Sequence, residues 1–339
     1  MTRMKIAMIS DMYHATPPQG YGGIERVVHR LTEELIQQGH EVVLFGAKGS
    51  HCSGETIAVD AYDPETLPSG IRKKSDIVSE DKLCEAMEDY FEHHQVDVIH
   101  DFSFQNLYVL KNPTKTPFII STCIPPAPDY RRPNLVACSD AHAKLCGGST
   151  KYVHYGLDLD KWPYNFDKEE HFIHIAKITR IKGQHLAIAA AKNTGVPLHL
   201  AGNVVEPLYY YSSILPRLLF SQDIRLIGEI DGTIDELLKA KALIQTPLWF
   251  DCFPLVILES LACGTPVIAF GEGGIPEQIA HGETGFICKD VDDLKQAIRN
   301  IDQIKPQTCR EYAEKHYSVS RMANDYLALY QQAINGEQW

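Results

Sequence analysis

Three observations predict an α/β fold built as two parallel-sheet units. At 339 residues the chain outgrows one comfortable hydrophobic core and suits two ordinary domains. Short apolar runs of strand length alternate with helix-length amphipathic stretches, as parallel strands joined by crossover helices require. The alternation breaks once, between Tyr155 and Tyr164, where Gly, Asp, Pro and aromatic residues crowd together, and then restarts. The predicted organisation is a first domain over 1–155, a second over 156–316, and residues 317–339 as a helix packing back on the first.

The elements follow in order. Lys5 to Ser10 reads as a buried strand. Ile24 to Gln38 reads as a helix, with Ile24, Val27, Val28, Leu31 and Leu35 at helical spacing and Gly39 as its stop. Strands are expected at Glu41 to Phe45, Val96 to His100, Phe118 to Ser121 and Leu135 to Ser139, the last feeding a helix that contains Ala141 to Leu145. In the second half strands are expected at Phe172 to Ala176, Leu198 to Ala201, Ile224 to Gly228, Ala242 to Gln245, Pro266 to Phe270 and Gly285 to Ile287. Helices are expected at Gln184 to Asn193, Leu255 to Ala262, Asp292 to Asn300, Cys309 to His316 and Val319 to Ile334, the last turning Met322, Tyr326, Leu329 and Tyr330 toward a core.

Composition narrows the function. Hydrophobic residues make 44% and charged residues 22% of the chain, a globular balance. A net charge of -12 repels nucleic acid and anionic lipid over most of the surface, so no nucleic-acid partner is expected. Arg72, Lys73 and Lys74 form the one basic run, flanked by acids, which leaves at most a peripheral membrane contact. Nine cysteines with no CxxC pair and no histidine at zinc spacing point to reduced thiols and a cytoplasmic location. The opening Met4-Lys5-Ile6-Ala7-Met8-Ile9 enters a strand too soon for a signal segment, and no apolar run nears the roughly 20 residues of a membrane span.

In open parallel sheets ligands bind beyond the carboxyl ends of the strands, so the loops there hold the candidates. The first runs from Asp11 to Tyr21 and ends in Gly22-Gly23 at a helix start, where free amides favour an anion; ordinary turn glycines are the competing reading. It is too long for a dinucleotide fingerprint, and the next strand ends without a ribose-binding acid. The second, Lys177-Ile178-Thr179-Arg180-Ile181-Lys182-Gly183, places three cations where they can hold a diphosphate and meet the charge that grows as it leaves. A solvated loop is the alternative. The third, Pro247 to Glu259, sets Asp251 in a loop and Glu259 within a helix, with the helix-starting amides of Leu255 and Val256 between them. Such a pair suits sugar and ribose hydroxyls with phosphate on the amides, though helix-surface acids without a role are common. Asp158-Leu159-Asp160 fits an Asp-x-Asp manganese pattern, but its place after Tyr155-Gly156 reads as linker.

Taken together, Gly22-Gly23-Ile24-Glu25-Arg26-Val27, Gly39-His40-Glu41-Val42, Tyr155-Gly156-Leu157-Asp158, Lys182-Gly183, Glu259-Ser260-Leu261-Ala262-Cys263-Gly264-Thr265-Pro266, Gly273-Gly274-Ile275-Pro276-Glu277 and Gly282-Glu283-Thr284-Gly285-Phe286 resemble a family 4 glycosyltransferase. The resemblance spans nearly the whole chain and is strongest in the second half. It implies the GT-B fold, two Rossmann-like domains facing each other across a cleft, and a retaining hexosyl transfer from a nucleotide diphosphate-sugar, UDP favoured over GDP. The donor is a substrate, no metal or other cofactor is implied, and the acceptor, small molecule, glycan or lipid-linked, stays unidentified. By resemblance Lys177 and Lys182 hold the diphosphate, Glu259 the ribose, and Gly228, Glu229 and Ile230 lie near the base.

Four positions depart from the family pattern. Lys177 replaces an arginine, turning a bidentate fork into a point charge that Arg180 can supplement. Asp251 stands where glutamate is usual, one methylene shorter. Pro254 replaces a glycine and has no amide hydrogen, although its fixed φ suits a first helical turn. Cys123 follows the Phe118 to Ser121 strand where a histidine is common, and His100 ends the neighbouring strand as a candidate contact to acceptor or sugar, or as a satisfied strand-end residue. These departures keep open a degenerate protein that binds nucleotide or a partner without transfer. A nicotinamide enzyme is a third reading, weakened by the missing ribose acid.

Overall fold

The computed structural model describes residues 3–20, 22–60, 80–113, 115–127 and 130–339; the basic run Arg72 to Lys74 and Tyr21 lie outside them. The chain divides into two compact units, one of Met1–Cys138, Cys146–Gly156 and Val319–Trp339, the other of Ser139–Leu145 and Leu157–Ser318.

In the first unit the elements run β1 (Lys5–Ile9), α1 (Gly23–Gln37), β2 (Glu41–Ala47), β3 (Glu55–Val59), α2 (Asp81–His93), β4 (Val98–Asp101), α3 (Leu107–Lys111), β5 (Phe118–Ser121) and β6 (Leu135–Ala137). Then come α4 (Asp140–Cys146) and β7 (Lys151–Tyr152). The strands form one parallel sheet in the order β3-β2-β1-β4-β5-β6-β7. Its central strands are continuous apolar runs because both faces are covered; Ile6, Ala7, Met8, Val43, Leu44 and Phe45 are fully buried. Gly39 does stop α1: it takes a left-handed φ of 91°, where glycine is unstrained. The edge strands β3 and β7 and the helix α2 are additions to the sequence reading.

The second unit continues with β8 (Phe172–Ile175), α5 (Gln184–Thr194), β9 (Leu198–Ala201), α6 (Pro207–Tyr209), a wide turn over Tyr210–Ile214, α7 (Leu215–Leu219), β10 (Ile224–Gly228) and α8 (Ile234–Lys239). It closes with β11 (Ala242–Gln245), α9 (Leu255–Ala262), β12 (Val267–Phe270), α10 (Ile275–Gln278), β13 (Gly285–Cys288), α11 (Val291–Asn300) and α12 (Pro306–His316). Its sheet is parallel throughout, in the order β10-β9-β8-β11-β12-β13. Helix α11 starts at Asp290, whose carboxylate accepts from the amides of Asp292 and Asp293 at 2.8 and 2.9 Å, a side-chain cap of the usual kind.

The last helix, α13 (Val319–Ile334), belongs to the first unit and packs on α1, β4 and β5. Its two inward tyrosines carry polar tips, and each finds a partner: Tyr330 Oη lies 2.7 Å from His100 Nδ1 and Tyr326 Oη 3.2 Å from Ser121 Oγ. One boundary differs from the expectation. Residues 139–145, which open α4, group with the second unit, because the Glu277 carboxylate accepts from the amides of Asp140 and Ala141 at 2.9 and 2.8 Å. Among the described residues no helix is long and apolar enough to cross a membrane.

Candidate active site

The strand order of the second sheet says where a ligand belongs. The chain leaves β8 toward β9 and β10, then returns to the other side of β8 as β11, so the loops after β8 and β11 part at a topological switch point. Those loops carry Lys177, Arg180 and Lys182 on one side and Asp251 on the other. They are fastened together by their backbones. Leu248 N donates to the Ile181 carbonyl at 2.7 Å, and Thr246 Oγ1 shares its hydrogen between the carbonyls of Gly183 at 2.9 Å and Lys182 at 3.2 Å. Gly183 permits this approach: at φ 66° a Cβ would stand 2.0 Å from the Thr246 carbonyl oxygen, a place that no side chain fits.

The clamp brings Lys182 Nζ to 2.6 Å from Asp251 Oδ2, with the two side chains 23% and 12% exposed. The ammonium also lies 4.8 Å from the Trp249 ring centroid, a favourable face for a cation. Asp251 is held from behind, since Gly274 N donates to its carbonyl at 2.9 Å and a Cβ on Gly273 would reach that oxygen at 2.2 Å. Beneath the clamp His174 is fully buried. Burial pushes its pKa down to about 4, so the ring is neutral, with Nε2 3.4 Å from Thr246 Oγ1.

Helix α9 starts beside Asp251 with Pro254 as its preceding residue at φ -64°, ψ 118°, and no side chain caps it. Pro254 is therefore the extended residue before the helix, not part of its first turn as the sequence suggested; a proline there loses nothing, since its carbonyl still accepts from Ile257 N at 3.2 Å. The half-buried Leu255 and Val256 open the helix, where amide hydrogens have no intrahelical acceptor. One turn on, Glu259 is buried and accepts from Thr233 Oγ1 at 2.7 Å. Thr233 escaped the sequence reading. With Glu236 three residues on it matches a capping box, but its hydroxyl serves Glu259 and caps nothing.

The other second-unit candidates scatter around this centre. Arg180 does not join Lys182: its guanidinium lies 5.3 Å from the Tyr209 ring centroid. Lys177 is half-buried, and its carbonyl accepts from Gln184 Nε2 at 2.8 Å. Gly228 has a φ of 81° and gives its carbonyl to Gly202 N at 2.7 Å; Glu229 is exposed and Ile230 half-buried. Asp158 of the Asp-x-Asp segment pairs with Lys161 at 2.7 Å.

In the first unit the corresponding switch point lies between β1 and β4. Gly22 sits against Pro18, where a Cβ would meet the proline ring at 2.7 Å, and Gly23 opens α1. The buried pair Asp11 and Glu25 underlies this loop. The Glu25 carboxyl is pushed up, by burial first and then by the facing Asp11 carboxylate, so it keeps its proton and shares it with Asp11. Cys123 is half-buried. His100 is fully buried, with Nδ1 on Tyr330 Oη and Nε2 2.8 Å from Ser121 Oγ. Both ring nitrogens are engaged inside the unit, as in the satisfied strand-end reading of this residue.

Comparison with known proteins bears on the family and the fold. The model of Glycosyl transferases group 1 matches residues 158–316, and that of Glycosyltransferase Family 4 matches residues 21–122. A glycogen synthase of Mycobacterium tuberculosis is 24% identical, with 98% of this chain and 96% of the relative covered. Among solved structures, AviGT4, a glycosyltransferase involved in avilamycin A biosynthesis, aligns with a TM-score of 0.80 at 23% identity over 99% of both chains. Anabaena HepE in complex with UDP and glucose aligns with a TM-score of 0.71 at 15% identity over 97% of this chain and 100% of that one. At these identities the structural likeness carries the fold, and the two family matches carry the class. The chain belongs to the family 4 glycosyltransferases and is a glycosyltransferase of the GT-B fold.

Proposed function

We propose that the protein moves a hexose-type sugar from a nucleotide diphosphate-sugar, with UDP favoured over GDP, to an acceptor hydroxyl, with retention of configuration and without a metal ion. The observation that carries this reading is the pairing of Lys182 with Asp251 at 2.6 Å across the switch point, beside the uncapped start of α9. In the proposed step the bond between the sugar anomeric carbon and the diphosphate oxygen breaks. Negative charge grows on the departing diphosphate, where the Lys182 ammonium, the Lys177 ammonium and the Leu255 and Val256 amides oppose it. The acceptor oxygen bonds to the anomeric carbon on the same face and passes its proton to the departing diphosphate oxygen, and no protein nucleophile takes part. Asp251 then serves the donor sugar hydroxyls and Glu259, oriented by Thr233, the ribose. The UDP held by HepE supports the choice of nucleotide.

A nucleotide binder without transfer is the second reading, favoured by Asp251 already neutralising Lys182. A thermal-shift panel of UDP, GDP, ADP, UDP-glucose, UDP-N-acetylglucosamine, GDP-mannose and NAD, followed by turnover with and without EDTA, decides between them. The uridine compounds are expected to stabilise the protein, by about 2.7 kcal/mol at a hundredfold excess over Kd, and turnover is expected to survive EDTA. No shift with any compound overturns the donor site, uridine binding without turnover leaves the second reading, and activity restored only by manganese overturns the metal-free step.

A further inference from the structure

We propose that the second unit carries a divalent transition-metal site made by His171, His199 and Glu236, separate from the sugar-transfer site and independent of its chemistry. His171 stands immediately before β8, His199 is the second residue of β9, and Glu236 lies on α8. Register places the histidines near each other on adjacent parallel strands, Phe172 opposite Leu198 and Ile173 opposite His199. Their rings stack with centroids 4.2 Å apart. One donor atom from each of the three residues falls within 4.8 Å of the other two.

Packing alone does not account for the polar atoms. His171 Nε2 and His199 Nδ1 are both buried with no hydrogen-bond partner among the described residues. A buried ring nitrogen without a partner costs folding free energy, and two of them on stacked rings beside a carboxylate are what a metal ion would satisfy. The outer contact is also in place. Glu169 Oε2 lies 3.3 Å from His171 Nδ1, which holds the proton on that nitrogen and leaves a lone pair on Nε2, the carboxylate-histidine-metal arrangement.

The donor set selects the ion. Two imidazoles and one carboxylate suit zinc and its neighbours and disfavour calcium and magnesium, which take oxygen ligands. An ion about 2.1 Å from each donor in a tetrahedral array needs donors about 3.4 Å apart, so the side chains converge by roughly 1 Å, with water as fourth ligand. Lys239 at 3.9 Å from Glu236 is half-exposed and can swing into solvent. Arg225, opposite His199 on β10, remains a nearby positive charge that sets a ceiling on affinity. The site lies at the amino-terminal ends of β8 and β9, whereas Lys182 and Asp251 lie beyond the carboxyl ends of β8 and β11. Bound metal would fasten α8 to the sheet without touching the donor.

Zinc chloride titrated into the full chain by calorimetry, and cobalt chloride followed by visible absorption, test the proposal. One ion per chain is expected, with cobalt bands lacking the thiolate charge-transfer absorption that the nine cysteines would give. His199→Gln is expected to weaken binding by at least 100-fold and Glu236→Gln by at least 10-fold, the scale on which even outer partners act, with sugar transfer unchanged in both. Should His199→Gln fail to fold, Glu236→Gln carries the same test. Unchanged affinity in the folded variants, a thiolate cobalt spectrum, or no binding overturns the site and leaves the stacked histidines as packing.

Discussion

Replacing Lys182 by Met and Asp251 by Asn, singly and together, separates what the pair does for the fold from what the lysine does for transfer. At 2.6 Å two unit charges attract by about 6 kcal/mol at an effective dielectric of about 20, most of which desolvation cancels. Breaking a fully buried pair costs about 3–5 kcal/mol and an exposed one under about 1 kcal/mol. With side chains 23% and 12% exposed, each single variant is expected to fall between, losing about 1.5–3 kcal/mol in urea unfolding. The double variant, which leaves neither charge alone, should recover most of that loss. Turnover should behave otherwise. If Lys182 meets the charge on the departing diphosphate, Lys182→Met slows kcat by about 100- to 1000-fold, the range for a lost electrostatic stabiliser, and the double variant stays slow. Stability and kcat measured on the same four proteins give both cycles. Recovery of turnover along with stability in the double variant would refute the assignment, because Lys182 would then serve only to neutralise Asp251.

Three further outcomes follow from the same geometry. Gly183→Ala puts a Cβ 2.0 Å from the Thr246 carbonyl at φ 66°, so about 2–4 kcal/mol of stability is expected to go, read as a melting point lower by at least about 4 °C; a loss under 1 °C would show that the clamp shifts freely. His174, fully buried with its pKa pushed down to about 4, stays neutral in the fold and takes a proton when unfolded. Stability is therefore held above pH 6.5 and falls by about 3 kcal/mol between pH 6.5 and 4; urea midpoints across that window should flatten in His174→Gln, and an unchanged slope contradicts the assignment. Glu25 has the opposite sign. Its raised pKa means a neutral carboxyl in the fold, with stability full below pH 4.5 and declining as pH rises, so Glu25→Gln should be near-neutral at pH 5 and stabilising at pH 8 in chemical unfolding, and equal effects at both would remove the shared proton.

How far the sequence discloses this structure depends on burial. The strands Leu198–Ala201 and Ala242–Gln245 fall on the predicted residues, because a parallel strand covered on both faces is a largely apolar run between polar loops; the edge strand Ile224–Gly228 and the helices Leu255–Ala262 and Val319–Ile334 also match, the helices through their apolar spacing. Strand β3, half-buried along Glu55–Val59, and the two-residue β7 lie at sheet edges and lack such a run. Helix α2 did carry a signal, since Leu83, Met87 and Tyr90 are buried at helical spacing. The Lys182 and Asp251 loops are readable as motifs, yet 69 residues part them and only strand order joins them. Thr233 and Glu259, and the trio His171, His199 and Glu236, share that character: their meaning lies in tertiary placement, which local spacing does not encode. His100 shows the converse. A histidine ending a strand looks chemical in sequence, while α13, more than 200 residues on, supplies the tyrosine that engages its Nδ1.

The switch-point clamp gives one of the departures from the family pattern, Asp251, a physical reading. Thr246 and Leu248 tie the backbone of the lysine loop to that of the aspartate loop, and the glycine pair at 273–274 fixes the other side of Asp251. With the backbone fixed at both ends, only side-chain rotation can separate the lysine from the carboxylate. A diphosphate that draws Lys182 would on the proposed reading release Asp251 toward the donor sugar, so one exchange of partners readies both the leaving group and the sugar hydroxyls. An aspartate suits that exchange. Its single methylene keeps the carboxylate within reach of the clamped lysine before donor binds, and few rotatable bonds need ordering when it lets go.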